Sequence, residues 1–223
     1  EFILPVLEVH GQFLASDQYY QSYNHGIFQD QALLELTVFF PEFESSREWQ
    51  QKAITRLINR LNQDITKNGV HKEHSPAYHI LVFDLFLDIK EFMDYYQIDY
   101  DLELTEKLDK MKKYLAYVTK HNGFLPMIGD TGLSYILDRF DDETILNDYW
   151  LYRYSNGKEG KKLEDGLQVF EEAGISIYRE DKDTPYYWYF SSGFHSTVHK
   201  HADDLSFVLS VDNSDYIVDS GSY

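Results

Sequence analysis

The segment 46–66, SREWQQKAITRLINRLNQDIT, decides the class of fold, because it carries a clean helical stripe. Its apolar side chains return every three or four positions, at Ile54, Leu57, Ile58, Leu61 and Ile65. This spacing places them on one face of an α-helix and leaves charged and amide side chains on the other face. The segment therefore predicts an amphipathic helix that packs through one side.

Further helices are predicted on both sides of this segment. Residues 104–118 repeat apolar side chains in steps of four and three, whereas residues 79–93 are apolar on nearly all sides and should be buried. Ser75 is the expected N-cap of the buried helix, and Pro76 suits its first position. A helix is also expected over 26–40. Short polar links at 67–69 and 121–123 suggest antiparallel neighbours, as in a helical bundle or an α/α toroid.

The character of the sequence changes after a polar, Gly- and Lys-rich segment at 156–165, which we interpret as a linker. Short β-branched or aromatic segments follow, beginning at Ile175 and continuing at 186–190, 205–211 and 216–218. Residues 212–214, Asp-Asn-Ser, predict a hairpin turn. We therefore predict an α+β protein: an incomplete (α/α) toroid over residues 1–165, then the first strands of an antiparallel, sandwich-like β-domain over 166–223. Because four strands bury too little on both faces, we expect the sheet to be unfinished and the chain to be part of a longer protein.

Composition excludes several classes of function. The 223 residues carry 20 Lys and Arg against 38 Asp and Glu, a formal charge of −18, which argues against binding to duplex nucleic acid. The absence of cysteine excludes disulfides, thiolate metal sites and a cysteine nucleophile. The longest apolar run, 80–89, is interrupted by Asp84 and Asp88, so no membrane span is predicted. The first residues lack a signal-peptide pattern, and the sequence leaves the localisation undecided.

Three clusters carry residues suited to chemistry. The first, Tyr23-Asn24-His25-Gly26, lies at the expected start of a helix, where a polar side chain and free backbone N–H groups can bind an anion. The alternative is that Asn24 only caps the helix.

The second cluster is residues 71–79, HKEHSPAYH, which gathers three histidines and a tyrosine around a helix start. Tyr78 falls in the first turn of that helix. A free tyrosine titrates near pH ~10, so it is a better proton donor than base at neutral pH. The alternative is a structural role, since the chain has 19 tyrosines and most must lie in the core or on the surface.

The third cluster is residues 195–204, HSTVHKHADD. In a strand, His199 and His201 would point to the same face, where both could bind a metal, or one a metal and the other a substrate. Asp219, at the end of a neighbouring predicted strand, could complete such a site. The alternatives are a solvated strand end and a metallo-β-lactamase motif. That motif ends in histidine where this chain has Asp204, and its fold has no long helical stretch before it.

Taken in order, these clusters resemble the heparinase II/III-like polysaccharide lyases, which include heparin-sulfate and alginate lyase-like enzymes. Proteins of this family have an α/α toroid followed by an antiparallel β-domain. The resemblance spans almost the whole chain and rests on the following matching segments: 24–26, 32–33, 40–43, 69–79, 125–130, 174–175, 199–203 and 218–221.

The resemblance implies β-elimination on a uronate-containing glycan: a base removes the proton at C5 and the 4-O-linked sugar leaves. It implies that Asn24 and His25 bind the uronate carboxylate, that Tyr78 protonates the leaving oxygen and can also act as base, and that His199 is a base or a carboxylate ligand. It further implies the following substrate-binding residues, the aromatic ones as sugar platforms: Tyr23, Glu73, His74, His79 and Trp188. His201 and Asp219 match ligands of a structural divalent metal, most often zinc, with a third ligand expected beyond Tyr223.

The expected partner is an acidic polysaccharide. A patch of His71, Lys72, His74 and His199 would attract it despite the overall charge. Arginines are few and scattered, so we expect a glycan with few or no sulfates. The resemblance favours a secreted, periplasmic or cell-surface location. Two other functions remain open: a non-catalytic glycan-binding or capsule-associated protein, and an α/α-barrel glycoside hydrolase. The hydrolase needs two facing carboxylates, and no such cluster is evident near Tyr78 in the sequence.

Overall fold

The computed structural model describes residues 2–136, 148–155, 158–202 and 204–221. Within them, helices come first and an antiparallel sheet follows, so the predicted α+β class is confirmed. The helices are α1 (Ile3–Ala15), α2 (Tyr23–Phe39), α3 (Ser46–Asp64), α4 (Pro76–Tyr95), α5 (Glu103–Val118) and α6 (Asp148–Tyr154). The strands are β1 (Gly166–Phe170), β2 (Ile175–Glu180), β3 (Tyr186–Ser191), β4 (Ser206–Val211) and β5 (Ser214–Ile217).

The four predicted helices correspond to α2 to α5, and α4 begins at Pro76 as expected. Helices α1 and α6 were not predicted. The apolar residues of α1 form no buried stripe, because Val6, Val9 and Phe13 are all exposed. Among the described helices, none combines the length and the apolar character needed to cross a bilayer.

Contacts divide the chain into two compact units. The first comprises Glu1–Asp64 and Val82–Glu106, and the second comprises Ile65–Leu81 and Lys107–Tyr223. The predicted boundary between residues 165 and 166 follows the change from helices to strands and stays a prediction. The predicted linker includes residues 156 and 157, which lie outside the described part of the chain.

The first unit has a core made by the inner faces of α2 and α3. Leu33 and Leu34 of α2 are buried, as are Leu57 and Leu61 from the stripe of α3. Helix α1 approaches α3 closely at a glycine. A Cβ built on Gly11 would lie 2.3 Å from the Trp49 ring, so no larger residue fits there without a shift.

The second unit contains the sheet, whose strands lie in the order β1-β2-β3-β4-β5 with antiparallel neighbours. Alternate residues of β2 and β3 are buried, including Arg179, Tyr187 and Tyr189. Arg179 Nη1 donates to the Ala116 carbonyl at 3.0 Å and the Thr119 carbonyl at 3.2 Å. The Tyr187 hydroxyl donates to the Val118 carbonyl at 2.8 Å. The buried face of the sheet therefore satisfies carbonyls at the end of α5, which have no partner inside the helix.

Strands β2 to β5 correspond to the predicted strands, and β1 was not predicted. Its residues Leu167 and Val169 are about half exposed, so β1 lacks the signal of a buried strand. The predicted turn at 212–214 is confirmed: Asp212 and Asn213 both have positive φ, 50° and 60°, as in a two-residue type I′ hairpin.

Candidate active site

The loop before α4 is held in place by its own turn and by α5. The Thr66 hydroxyl accepts from the Val70 N–H at 2.9 Å, and the loop reverses at Gly69. Gly69 has φ +79°, and a Cβ there would lie 2.4 Å from the carbonyl carbon of Lys110. Only glycine suits this position, because both the backbone conformation and the space exclude a side chain.

His79 connects this loop to α5. Its Nδ1 accepts from the His71 N–H at 3.1 Å, and its Nε2 faces the Met111 carbonyl at 3.3 Å. A carbonyl only accepts, so the proton is on Nε2. Burial lowers the pKa of His79 to about 3, which keeps the ring neutral. His79 is buried, and both of its ring nitrogens are hydrogen-bonded. In this structure it therefore supports the loop and is not at the surface, where the predicted contact with substrate would require it.

The start of α4 is connected to the segment that follows α5. The Ser75 and Thr131 hydroxyls lie 2.9 Å apart, and the Ala77 N–H donates to Thr131 Oγ1 at 3.2 Å. The Tyr78 N–H lies 3.5 Å from Ser75 Oγ, a long capping contact. Tyr78 therefore lies in the first turn of α4, where the sequence predicted it, and its side chain is partly exposed.

Asp130 binds both histidines of the third cluster. Its Oδ2 lies 2.8 Å from His199 Nδ1, and its Oδ1 lies 2.8 Å from His201 Nε2. These bonds lower the pKa of the Asp130 carboxyl, which is therefore ionised and accepts a hydrogen bond from an N–H of each ring. The backbone adds a third contact, because the Asp130 N–H donates to the His199 carbonyl at 3.1 Å.

The prediction that His199 and His201 share a strand face was wrong. Both lie in the loop between β3 and β4, and His199 has a left-handed φ of 54°. The rings come together because one carboxylate receives both, not because of strand periodicity. Asp203, in the same cluster, lies outside the described residues.

The ring of Tyr78 stacks on the ring of His199, with 3.4 Å between centroids and 17° between planes. On the Nε2 side, His199 lies 3.9 Å from the Glu73 carboxylate. The same Glu73 oxygen lies 3.8 Å from His71 Nε2. Burial lowers the pKa of His71 well below its usual range, so that ring is neutral. Glu73 is only 1% exposed, which leaves little of its side chain for direct contact with a glycan.

His74 holds the other end of the His199 loop. Its Nε2 accepts from the His195 N–H at 2.9 Å, and its ring stacks against His195 with centroids 5.5 Å apart. Burial, together with nearby Lys200, lowers the pKa of His74 to about 4. A Cβ on Gly129 would lie 2.9 Å from the His74 carbonyl and 2.4 Å from that of His199. His74 and His199 therefore belong to one packed cluster around the 129–131 turn.

The first cluster lies in the first unit. Helix α2 begins at Tyr23, and its N-cap is Ser22, so Asn24 is inside the helix and is not its cap. The Asn24 Oδ1 accepts from the His25 N–H at 3.1 Å, and the His25 side chain is exposed. Tyr78 and His199 belong to the second unit.

Each predicted cluster contains a non-glycine residue in the left-handed region: Tyr23 with φ 58°, His74 with φ 59° and His199 with φ 54°. Such residues cost conformational energy and often occur at functional sites. Four others in the described chain lie outside the three predicted site sets: Gln97, Leu205, Asp212 and Asn213. The strain supports the choice of these clusters without assigning a role to any residue.

Trp188 is in β3 on the face opposite the buried tyrosines. It stacks with Tyr178 at 6.0 Å between centroids and packs near Phe207. It therefore belongs to an aromatic stripe across the sheet. Its predicted function as a sugar platform stays a prediction.

The predicted metal ligands have other partners. Asp219 accepts from the Ser206 hydroxyl at 2.7 Å and from the Gly221 N–H at 3.0 Å, while His201 binds Asp130. Across the described ranges, no group of three or more His, Asp or Glu side chains is arranged to hold a metal. The residues present do not form the predicted ligand set, so the zinc site stays a prediction and no step below depends on it.

Asp130 and Thr131 contact the second and third clusters but were not among the predicted site residues. Residues 125–130 contributed to the resemblance, but no role was assigned to them. The available signal was an acidic residue directly after Gly129, in a segment whose left-handed glycine lets the backbone pass close to a neighbour.

Comparison with protein-family models gives two matches. The model described as heparinase II/III N-terminus matches residues 1–145, and the model described as heparinase II/III-like, C-terminal matches residues 164–223. The chain therefore belongs to the heparinase II/III family.

Curated relatives include proteins named heparin-sulfate lyase. The one from Bacteroides stercoris is 24% identical over 209 residues, covering 90% of this chain and 31% of the relative. The one from Pedobacter heparinus is 26% identical over 178 residues, covering 75% of this chain and 27% of the relative. The chain thus spans about a third or less of the length of these relatives.

Solved structures with the same fold include the heparan sulfate lyase HepC from Pedobacter heparinus. It has a TM-score of 0.81 at 21% identity, over 98% of this chain and 36% of that one. A structure of heparinase III has a TM-score of 0.81 at 21% identity, over 99% of this chain and 38% of that one. At this identity the likeness shows the fold.

Proposed function

We propose that this protein is a polysaccharide lyase that cleaves a uronate-containing glycosaminoglycan by β-elimination. The observation that carries the proposal is the stacked pair of Tyr78 and His199, with Asp130 on one ring nitrogen of the histidine and Glu73 near the other. Membership of the heparinase II/III family and relatives named heparin-sulfate lyase support it.

His199 is suited to accept the C5 proton. Asp130 accepts from its Nδ1–H, so in the neutral ring the lone pair is on Nε2. When Nε2 takes a proton, the ring becomes an imidazolium between two carboxyl groups, Asp130 at 2.8 Å and Glu73 at 3.9 Å.

Tyr78 is suited to donate a proton to the leaving oxygen. Its stack on His199 puts a proton donor and a proton acceptor side by side. The C5–H bond breaks, its electron pair forms the C4–C5 double bond, and the C4–O4 bond breaks. O4 takes the Tyr78 proton, and the proton held by His199 then returns to Tyr78 directly or through water. The enzyme ends in its starting protonation state.

Asn24 and His25 keep the role that the resemblance implies. They would bind the uronate carboxylate and reduce the negative charge that develops when the C5 proton leaves. Binding of the carboxylate by these two residues makes the C5 proton more acidic. Removing their side chains should therefore slow proton removal more than it weakens substrate binding.

The substrate class we favour is a heparan-type or related uronate glycan with little or no sulfation. Positive charge near the stacked pair is modest in a chain of charge −18: Lys200, next to His199, pairs with Asp204 at 2.8 Å, and His74 is neutral at pH 7 because its pKa is lowered to about 4. Local potential governs encounter with an anionic chain, whereas dense sulfation would call for more permanent positive charge.

The hydrolase alternative is less well supported. Glu73 and Asp130 both flank His199, but Glu73 is buried and Asp130 is bound by two imidazoles. A glycosidase needs two carboxyl groups that face the bond to be cleaved.

The test is incubation of the protein with heparan sulfate, which is sulfated, and with two unsulfated uronate glycans, one of them hyaluronan. A lyase creates a conjugated unsaturated uronate, which absorbs in the ultraviolet, together with new reducing ends. New reducing ends without the absorbance would replace the proposal by hydrolysis. Binding with neither product would support the non-catalytic alternative.

A further inference from the structure

A buried polar network lies in the first unit, with Tyr20 just before the Asn24 segment, Asp30 after it in α2 and Arg56 in α3. Asp30 is 0% exposed and accepts from the Tyr20 hydroxyl at 2.7 Å. Arg56 lies over the Tyr20 ring, 4.3 Å from its centroid, and pairs with Asp30 at 3.5 Å. Burial raises the pKa of Asp30 to about 6 despite these partners.

Arg56 also connects the network to the end of α1. Its guanidinium donates to the Leu14 carbonyl at 2.9 Å and the Ala15 carbonyl at 3.0 Å, and it pairs with Asp17. The connecting turn 16–22 is thus held on its α1 side by Arg56.

The same connecting segment is held against the first two turns of α2. The Gln21 N–H donates to Gln29 Oε1 at 2.8 Å, and Gln29 Nε2 donates to the Tyr19 carbonyl at 3.1 Å. A Cβ on Gly26 would lie 2.4 Å from the Gln21 carbonyl oxygen and 2.9 Å from the Tyr20 hydroxyl oxygen. Tyr20 therefore packs directly on the helical turn that carries Asn24 and His25.

We infer that Tyr20, Asp30 and Arg56 are positioning residues that set the orientation of the Asn24 and His25 side chains in the first turn of α2. The inference rests on the proposed function, which assigns these two residues to the uronate carboxylate.

Two features favour positioning over stability alone. A buried charged network is weak support for stability, because desolvation offsets much of its attraction. Tyr20 also packs at Gly26, in the same helical turn as Tyr23, whose left-handed φ of 58° must be held by its surroundings.

The experiment compares Tyr20→Phe with Tyr100→Phe. Each change removes one hydroxyl from a Tyr–Asp hydrogen bond in the first unit, Tyr20 to Asp30 at 2.7 Å and Tyr100 to Asp94 at 2.6 Å. Both rings stay in place. We measure kcat and KM on heparan sulfate by ultraviolet absorbance, Tm, and the amide NMR signal of His25, whose N–H binds Asn24 Oδ1.

The expected result is a kcat about tenfold lower for Tyr20→Phe, with KM little changed and a shifted His25 amide signal. Tyr100→Phe should leave kcat and that signal unchanged. Equal kcat values for the two variants, or an unmoved His25 signal in Tyr20→Phe, would overturn the inference. If the unaltered protein cleaves no uronate glycan, the proposed function fails, and the His25 signal still decides whether the network positions this turn.

Discussion

The carboxylate of Asp130 and the imidazole of His199 are joined by a hydrogen bond of 2.8 Å, although they are 69 positions apart in the chain. The other carboxylate oxygen holds His201. One side chain thus sets the tautomer and the direction of the proposed base, much as the aspartate of a catalytic triad orients its histidine.

Asp130→Asn should therefore reduce catalysis more than binding. An amide has one accepting oxygen, so one of the two imidazoles must change tautomer or lose its partner. We expect kcat to fall about a hundredfold with a small change in KM, measured from initial rates of ultraviolet absorbance. Asp165→Asn is the matched control, because Asp165 also accepts two hydrogen bonds in the second unit, from Lys162 and the Asp181 N–H. Equal losses in both variants would contradict a specific role for Asp130.

Tyr78→Phe tests the proton donor. The substitution keeps the ring that stacks on His199 and removes only the hydroxyl. We expect kcat to fall by about a hundredfold or more, because general acid catalysis contributes that much, with Tm nearly unchanged. Tyr216→Phe, at an exposed position of β5, is the control. A Tyr78→Phe variant with full activity would exclude the hydroxyl as the acid.

His79→Leu should destabilise the second unit. It would leave the His71 N–H without the bond it makes to this ring, at about 1–3 kcal/mol, and would remove the second contact of the Met111 carbonyl, which lies within α5. Urea unfolding at pH 7 measures the loss. His10→Gln, at an exposed position, should change the free energy of unfolding little.

The same residue gives a prediction for pH. The pKa of His79 is lowered to about 3 in the folded protein, whereas an unfolded histidine titrates near pH ~6.5. Below pH ~6.5 the unfolded chain binds a proton at this histidine, whereas the folded protein does not until near pH 3. The free energy of unfolding therefore falls as pH falls. Between pH 6.5 and 5 this group should cost about 2 kcal/mol. A difference between the original protein and His79→Leu that stayed constant with pH would contradict it.

Gly69→Ala should cost stability because the loop reverses there with φ +79° and no space for a Cβ. Strain in this region costs about 1–3 kcal/mol, and the contact with Lys110 adds to it. Gly132→Ala is the control, since no atom lies within 4 Å of the built Cβ and its φ is not positive. Equal unfolding midpoints for the two variants would show that the loop can relax around Gly69.

Local patterns predicted most of the fold. The stripe of α3, the cap and proline at the start of α4 and the Asp-Asn turn each depend on neighbours within a few positions, and all three are in the structure. Helix α1 and strand β1 were not predicted, because their apolar residues are exposed and form no periodic buried face.

The candidate site, too, was predicted only in part from the sequence. The resemblance selected Tyr78 and His199, but strand periodicity gave the wrong local structure for the histidine pair, and Asp219 binds Ser206. No pattern in the sequence joins Asp130 to two histidines about 70 positions away, nor shows that His79 is turned inward onto Met111.

The sequence by itself determined the order of helices and strands, the class of fold and the position of Tyr78 in the first turn of its helix, because hydrophobic periodicity and capping act between near neighbours. Only the tertiary structure decided which carboxylate orients His199 and which histidines are buried and structural. Those choices depend on distant segments packed at contact distance around Gly69 and Gly129, where backbone and side chains leave no space for a Cβ.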